Sequence, residues 1–346
     1  MTKMLDEILQ QPKVLAGVEE ANKSTLEKLA AELNEKNIGH AVFAARGSSD
    51  HAAIYGQYLL GVYKGVVCSL ATPSTLTLYD ADLNMSSDLV IGISQSGKAA
   101  DVLAYIEKAN KDGGVTVAIT NNLDSPLAKT AKYHLYINAG LEESVAATKT
   151  FTAQLYLLAL LTAYWSADEK LLSSLRNVPK TLEEGIEGIL ENAKAKSERY
   201  RYMVDGFVLA RGFNYPIAKE MALKTQETCY IKMQGRAISD FYHGPLAQVH
   251  ADVPVIVLAP SGKALNDARE MADRIQSLGA QILLVTDDKA FAQEIENSVL
   301  LPLAETEAAS VYVFTVFAQA FAQYLSVSKG LNPDSPRSLN KVTITK

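Results

Sequence analysis

Three stretches of this 346-residue chain have the residue types and spacing to hold an anion. Ser94-Gln95-Ser96-Gly97 follows the apolar run 89–93 and precedes a helical stretch. Free backbone N–H groups at a helix start, two hydroxyls and a glycine make an anion cradle, and phosphate is its natural guest. The same residues also read as a simple helix N-cap. Gly47-Ser48-Ser49 stands at the end of a neighbouring strand. Its hydroxyls suit the same ligand, and equally suit a tight turn with a cap. Val145-Ala146-Ala147-Thr148-Lys149-Thr150 is a third rim, where small residues let the backbone approach a ligand. Its plainer reading is the start of an apolar helix over 151–165.

Acid–base chemistry has three candidate positions. Glu220, Lys224 and Glu227 fall at i, i+4 and i+7 on one helical face, either as a placed carboxylate with its partners or as a solvated salt-bridged face. His243, in Tyr242-His243-Gly244-Pro245, is expected in a loop, because a helix does not run on easily through Gly-Pro. There it is a proton-transfer group or an ordinary surface residue. Lys341 lies five residues from the end and reads as a tail lysine. Val342-Thr343-Ile344 gives that tail something apolar to dock with, and a docked lysine can be catalytic. His51 and His134 have no partners at metal-ligand spacing, so neither a metal nor any other cofactor is expected.

These groups need a scaffold, and the sequence shows one used twice. Ala45-Arg46-Gly47 recurs as Ala210-Arg211-Gly212, and Ser96-Gly97-Lys98-Ala99 as Ser261-Gly262-Lys263-Ala264, both 165 residues apart. Gly114 and Gly279 keep the same offset. Three matches at one offset argue for a duplicated domain. In the first copy, short apolar runs at 40–45, 89–94, 115–120 and 133–137 alternate with helical stretches such as 100–111, which Gly113-Gly114 should end. Apolar strands alternating with amphipathic helices predict a parallel sheet covered on both faces. The second copy runs over about 202–326, with 305–326 largely helical, and 178–201 reads as a charged helical connection. The second copy has Ala259-Pro260 where the first has Ser94-Gln95, losing a hydroxyl and an N–H, so the first is the better binding candidate.

Composition narrows the function classes. Hydrophobic residues make up 48% and charged residues 21%, as in a soluble globular protein of about two domains. A net charge of −6 with no Lys/Arg block speaks against nucleic acid. Two distant cysteines, Cys68 and Cys229, exclude a disulfide framework and fit a reducing, cytoplasmic setting. The N-terminus lacks a signal peptide's apolar stretch, and the apolar run 155–165 is too short to span a bilayer, so no membrane partner is expected.

Taken together, Ser94-Gln95-Ser96-Gly97, the stretch Ala147-Thr148-Lys149-Thr150-Phe151-Thr152-Ala153-Gln154-Leu155, Tyr242-His243-Gly244-Pro245-Leu246 and Pro336-Arg337-Ser338-Leu339-Asn340-Lys341 resemble the sugar isomerase (SIS) domain family. The likeness is greatest to the isomerase half of the glutamine–fructose-6-phosphate aminotransferases, in order along the whole chain. The resemblance implies an α/β fold of two tandem SIS domains, each a doubly wound, flavodoxin-like, five-stranded parallel sheet flanked by helices. It implies a helical extension over 1–36, a sugar-phosphate-binding domain over 37–195, a second domain over 196–335 and a catalytic tail over 336–346. It assigns the phosphate to Ser94, Gln95 and Ser96, and the sugar to Ser48, Ser49, Val145 and Ala147. Glu227 would shuttle the proton between C1 and C2, supported by Lys224. His243 would assist ring opening from the partner subunit of a homodimer with shared active sites, and Lys341 would meet the substrate as an amine or as a charge. Three positions depart from the family pattern: Lys98-Ala99 replaces the usual Glu-Thr, Ala147 a serine, and Asp240 a glutamate.

Those aminotransferases begin with a glutaminase domain, whereas this chain starts Met1-Thr2 and enters the first unit directly. Glutamine-dependent synthesis is therefore not expected. The expected activity is an aminosugar-phosphate deaminase/isomerase acting on a hexosamine 6-phosphate such as glucosamine 6-phosphate. A fructosamine-6-phosphate deglycase and a non-catalytic sugar-phosphate sensor are the alternatives.

Overall fold

Short apolar runs bounded by turn residues become strands buried on both faces, because only helices packed above and below can cover them. The computed structural model describes residues 1–341, so the expected docking of Val342-Thr343-Ile344 lies outside the described residues. In chain order the first half comprises α1 (Lys3–Leu9), α2 (Gln11–Glu35), β1 (His40–Ala44), α3 (Ser48–Lys64), β2 (Val67–Leu70), α4 (Ser74–Thr77) and β3 (Leu89–Ile93). There follow α5 (Ala100–Asp112), β4 (Val115–Thr120), α6 (Pro126–Thr130), β5 (Tyr133–Tyr136) and α7 (Lys149–Ser166). The strands β1 to β5 form a parallel sheet in the order β2-β1-β3-β4-β5. Residues of β3 and β4 are buried throughout. Gly113 ends α5 in the left-handed conformation (φ 90°), as the sequence predicts.

Helix α8 (Glu169–Ser197) leads into the second half, extending the predicted 178–201 connection toward the N-terminus. Pro179 sits inside it and cannot bond the carbonyl of Leu175. The buried hydroxyl of Tyr156 donates to that carbonyl at 3.0 Å, so the helix runs on. The second half comprises β6 (Asp205–Ala210), α9 (Tyr215–Cys229), β7 (Lys232–Ala237), α10 (Ile238–Phe241), β8 (Pro254–Ala259) and α11 (Leu265–Ser277). It ends with β9 (Gln281–Thr286), α12 (Lys289–Glu294), β10 (Ser298–Leu300) and α13 (Glu307–Ser328). Its sheet order is β10-β9-β8-β6-β7, all parallel. Renumbered within its own half this is the order of the first sheet, so the repeat extends from sequence to topology. Helix α13 has the length and composition of a membrane span, but 94% of its apolar window is buried, and it is the core helix of this half.

The chain divides into two compact units. The first contains Lys13–Glu142, Lys149–Arg176 and residues 340–341; the second contains Met1–Pro12, Glu143–Thr148 and Asn177–Leu339. The first sheet belongs to the first unit and the second sheet to the second.

Candidate functional site

In sheets of this order the chain reverses direction between β1 and β3, and ligands bind beyond the strand ends at that switch point. Register pairs Ala44 of β1 with Gly92 of β3, so Gly47-Ser48-Ser49 and Ser94-Gln95-Ser96-Gly97 leave the same edge side by side. Gly47 precedes α3 at φ 57° without a side-chain cap, and Ser48 and Ser49, both half-buried, form its first turn.

The 94–97 segment is a turn ahead of the helix, which starts where the 100–111 stretch predicts. Helix α5 begins at Ala100, and its N-cap position is Ala99. The turn is made by Gly97, held at φ 65° in the left-handed region. Its N–H turns back to the carbonyl of Ser94 (3.1 Å) and to the Ser94 hydroxyl (3.2 Å). A side chain at Gly97 has no room, since a Cβ there would sit 2.2 Å from Ser125 Oγ. The loop is pinned further by Ser94 N–H to Ile119 carbonyl (3.1 Å), Asn121 N–H to Gln95 carbonyl (2.9 Å) and Leu127 N–H to Gly97 carbonyl (3.2 Å). Neither serine caps a helix. The N–H groups of Gln95 and Ser96 find no acceptor among the described residues. The result is a rigid turn with donors to spare, which is what an anion needs. Beside it Arg46 pairs with the buried Asp101 at 2.8 Å.

Lys341 also belongs to the first unit. Its Nζ lies 2.6 Å from Oε2 of Glu142, a fully buried carboxylate. Glu142 also accepts from the N–H of Thr150 (3.1 Å) and its hydroxyl (2.7 Å) at the start of α7. The lysine side chain remains 26% exposed. It is therefore a fixed ammonium with an open side, not a loose tail residue. Nothing local in the sequence marks Glu142 as its anchor.

The second unit holds the candidate base. Glu220 and Lys224 are buried on α9, at 0% and 1% exposure, and Glu227 is 21% exposed. Lys224 Nζ lies 2.5 Å from Glu227 Oε2 and 3.4 Å from Glu220 Oε1. A solvated salt-bridged face does not bury its lysine, so that alternative fails. Burial works against the Lys224 charge, but Glu220 and Glu227 outweigh it and hold the pKa above the usual lysine range. Glu227 thus keeps one oxygen on a permanent cation and a side chain that solvent can reach.

Val145 and Ala147 are half-buried in the 143–148 segment of this same unit. Glu7 of α1, itself 4% exposed, holds that segment. Its carboxylate accepts from the N–H groups of Glu143 and Ser144 and from the Ser144 hydroxyl (2.5 Å). Glu7 is a second residue that the sequence did not single out. His243 sits, as predicted, in a turn after α10; it is exposed, and its N–H is held by the carbonyl of Asp240 at 3.1 Å. No cluster of three metal-ligating side chains occurs among the described residues. His134 shares a 2.8 Å hydrogen bond with Thr120, and burial lowers its pKa. Cys68 and Cys229 are free, and burial pushes both thiols up to about 11, so neither offers a thiolate at neutral pH.

The model of the SIS domain matches residues 32–164 and again 206–326, one match to each half. The chain belongs to the SIS domain family. Both matches cover the sheets that place these residues, and the tandem SIS architecture expected from the motifs holds. Among curated relatives, a glutamine–fructose-6-phosphate aminotransferase of Thermococcus kodakarensis is 33% identical over 98% of this chain, which spans 57% of that relative. The chain thus covers a little over half the length of the aminotransferases it matches. Among solved structures, the C-terminal domain of glucosamine-fructose-6-phosphate aminotransferase from Francisella tularensis superposes with a TM-score of 0.87 at 27% identity, covering 97% of this chain and 98% of that one. This SIS protein therefore corresponds to the isomerase half of those enzymes. Glucosamine-6-phosphate deaminase from Thermotoga maritima shares the fold, with a TM-score of 0.77 at 21% identity, 99% of this chain and 100% of that one.

Proposed function

We propose that this SIS protein is a phosphosugar isomerase-type enzyme that deaminates a hexosamine 6-phosphate such as glucosamine 6-phosphate. The carrying observation is the Glu227 carboxylate, anchored through one oxygen to a buried lysine yet reachable by a ligand. The 94–97 loop, with its spare N–H groups and hydroxyls, takes the phosphate, and Ser48, Ser49, Val145 and Ala147 take the sugar. The curated aminotransferases and the Francisella domain name fructose 6-phosphate and glucosamine chemistry, which supports this substrate class.

The reaction then follows from acid–base chemistry alone. His243 assists opening of the sugar ring. Glu227 removes the C2 proton of the open-chain 2-amino aldose, giving a C1–C2 enolamine. Return of the proton to C1 leaves an imine at C2. Water adds to the imine and ammonia leaves, giving the ketose phosphate. Lys341, held by Glu142, places a positive charge against the oxygen that gains electron density at C1. Lys224 orients Glu227 through their ion pair. His243 acts from the partner subunit of a homodimer.

Incubation with glucosamine 6-phosphate tests the reading. Stoichiometric ammonia and fructose 6-phosphate are expected. Amine release from a fructosamine 6-phosphate, with none from glucosamine 6-phosphate, would replace it with deglycation.

A further inference from the structure

The duplicated loop of the second unit lacks one N–H, at Pro260, and those of Ser261 and Lys263 are already taken by carboxylates. Ser261 stands 165 residues after Ser96, and its N–H donates to Asp287 Oδ1 at 2.5 Å. The N–H of Lys263, counterpart of Lys98, donates to Glu307 Oε2 at 2.9 Å. In the first unit, among the described residues, the N–H of Lys98 has only the hydroxyl of Ser96, at 3.4 Å. Gly262, at φ 136°, has the Glu307 carboxylate packed where a side chain would begin: a Cβ there would lie 2.4 Å from Oε2. The surroundings are otherwise repeated. Arg211 pairs with Asp267 as Arg46 pairs with Asp101.

The carboxylates come from positions where the first unit has no anion. Asp287 directly follows β9, where Asn121 directly follows β4. Glu307 is the first residue of α13, where α7 begins with Lys149. Both substitutions add negative charge beside a loop that binds negative charge. An anion held at these N–H groups is what the loop geometry selects, and here the chain supplies its own.

We infer that the 261–263 loop is a second phosphate-binding loop held shut by Glu307 and Asp287, which occupy it as internal anions. The duplication therefore gives one sugar-phosphate site per chain instead of two. Replacing both carboxylates with small neutral side chains opens the loop to a phosphate. The inference rests on reading the 94–97 loop as the working cradle.

Equilibrium dialysis with inorganic phosphate tests it, together with crystals grown in phosphate. The native protein should bind one phosphate per chain, and Ser96→Ala should bind none. Glu307→Ala together with Asp287→Ala in the Ser96→Ala protein should restore one equivalent, seen in the crystal on Ser261 and Lys263. Glu307→Ser in place of Glu307→Ala gives the same reading if the alanine variant folds poorly, because serine is tolerated at a helix start. Folded variants lacking both Glu307 and Asp287 carboxylates that gain no phosphate overturn the inference. Ser96→Ala that still binds one equivalent overturns the cradle reading instead, and the equivalent gained on changing Glu307 and Asp287 still decides the second loop.

Discussion

Glu142 and Lys341, 199 residues apart in sequence, meet at 2.6 Å, with the carboxylate fully buried and the ammonium partly open. The carboxylate also ties down Thr150, so one side chain fixes both Lys341 and the start of α7. A lysine held this way presents its charge in one place, and catalysis depends on such placement. Glu142→Gln keeps the Thr150 bonds within reach but loses the ion pair. It should lower kcat by roughly 100-fold with little change in KM. Steady-state kinetics with the folded variant check this, and labelling of Lys341 by an amine-specific reagent should rise in parallel.

Lys224 is buried between two carboxylates, and its removal takes away the cation that both of them face. Lys224→Met should cost about 3–5 kcal/mol of stability, measurable by urea unfolding. Glu220→Gln with Lys224→Met should recover part of that loss. If the lysine variant were as stable as the native protein, the buried pair would have no structural role.

Gly97 allows the cradle turn and its contact with Ser125. Gly97→Ala forces a Cβ onto Ser125 Oγ and an alanine into the left-handed region. Sugar-phosphate affinity should fall at least tenfold while thermal unfolding shifts by only a few degrees. Titration calorimetry with glucosamine 6-phosphate measures the affinity change.

Acid should loosen the first unit at Glu32. Partial burial opposes its charge, but bonds from Lys132, Tyr133 and Lys36 outweigh that and hold its pKa down to about 2. A carboxylate with a depressed folded pKa contributes stability above its unfolded pKa and loses it as pH falls through the folded value. The Glu32 contribution is thus present above roughly pH 4.5 and disappears toward pH 2. Glu32→Gln should remove that part of the acid transition, followed by hydrogen exchange in β5.

The sequence disclosed those parts of the fold that follow from burial alone. Strands β3 and β4 are apolar runs because both faces are covered. The edge strands β2 and β7 were not legible: β2 is half-exposed, and β7 carries Lys232, Gln234 and Arg236. An edge strand borrows its pairing from a neighbour, so its own sequence need not alternate or be apolar. The 94–97 loop was found by its residue types and the helix after it by its spacing, but the left-handed turn at Gly97 that folds the loop back on Ser94 was not, because no residue pattern shows it. Glu142 and Glu7 were missed for a different reason. Their partners lie 199 and 137 residues away, and an isolated glutamate gives no sign of burial.

Deuterium exchange at C2 of glucosamine 6-phosphate, followed by NMR in heavy water, tests the central claim most directly. The native protein should wash deuterium into the sugar, and Glu227→Gln should stop the exchange while binding the sugar phosphate within a fewfold of native. Exchange that continues in the folded Glu227→Gln protein would contradict the assignment of Glu227 as the base.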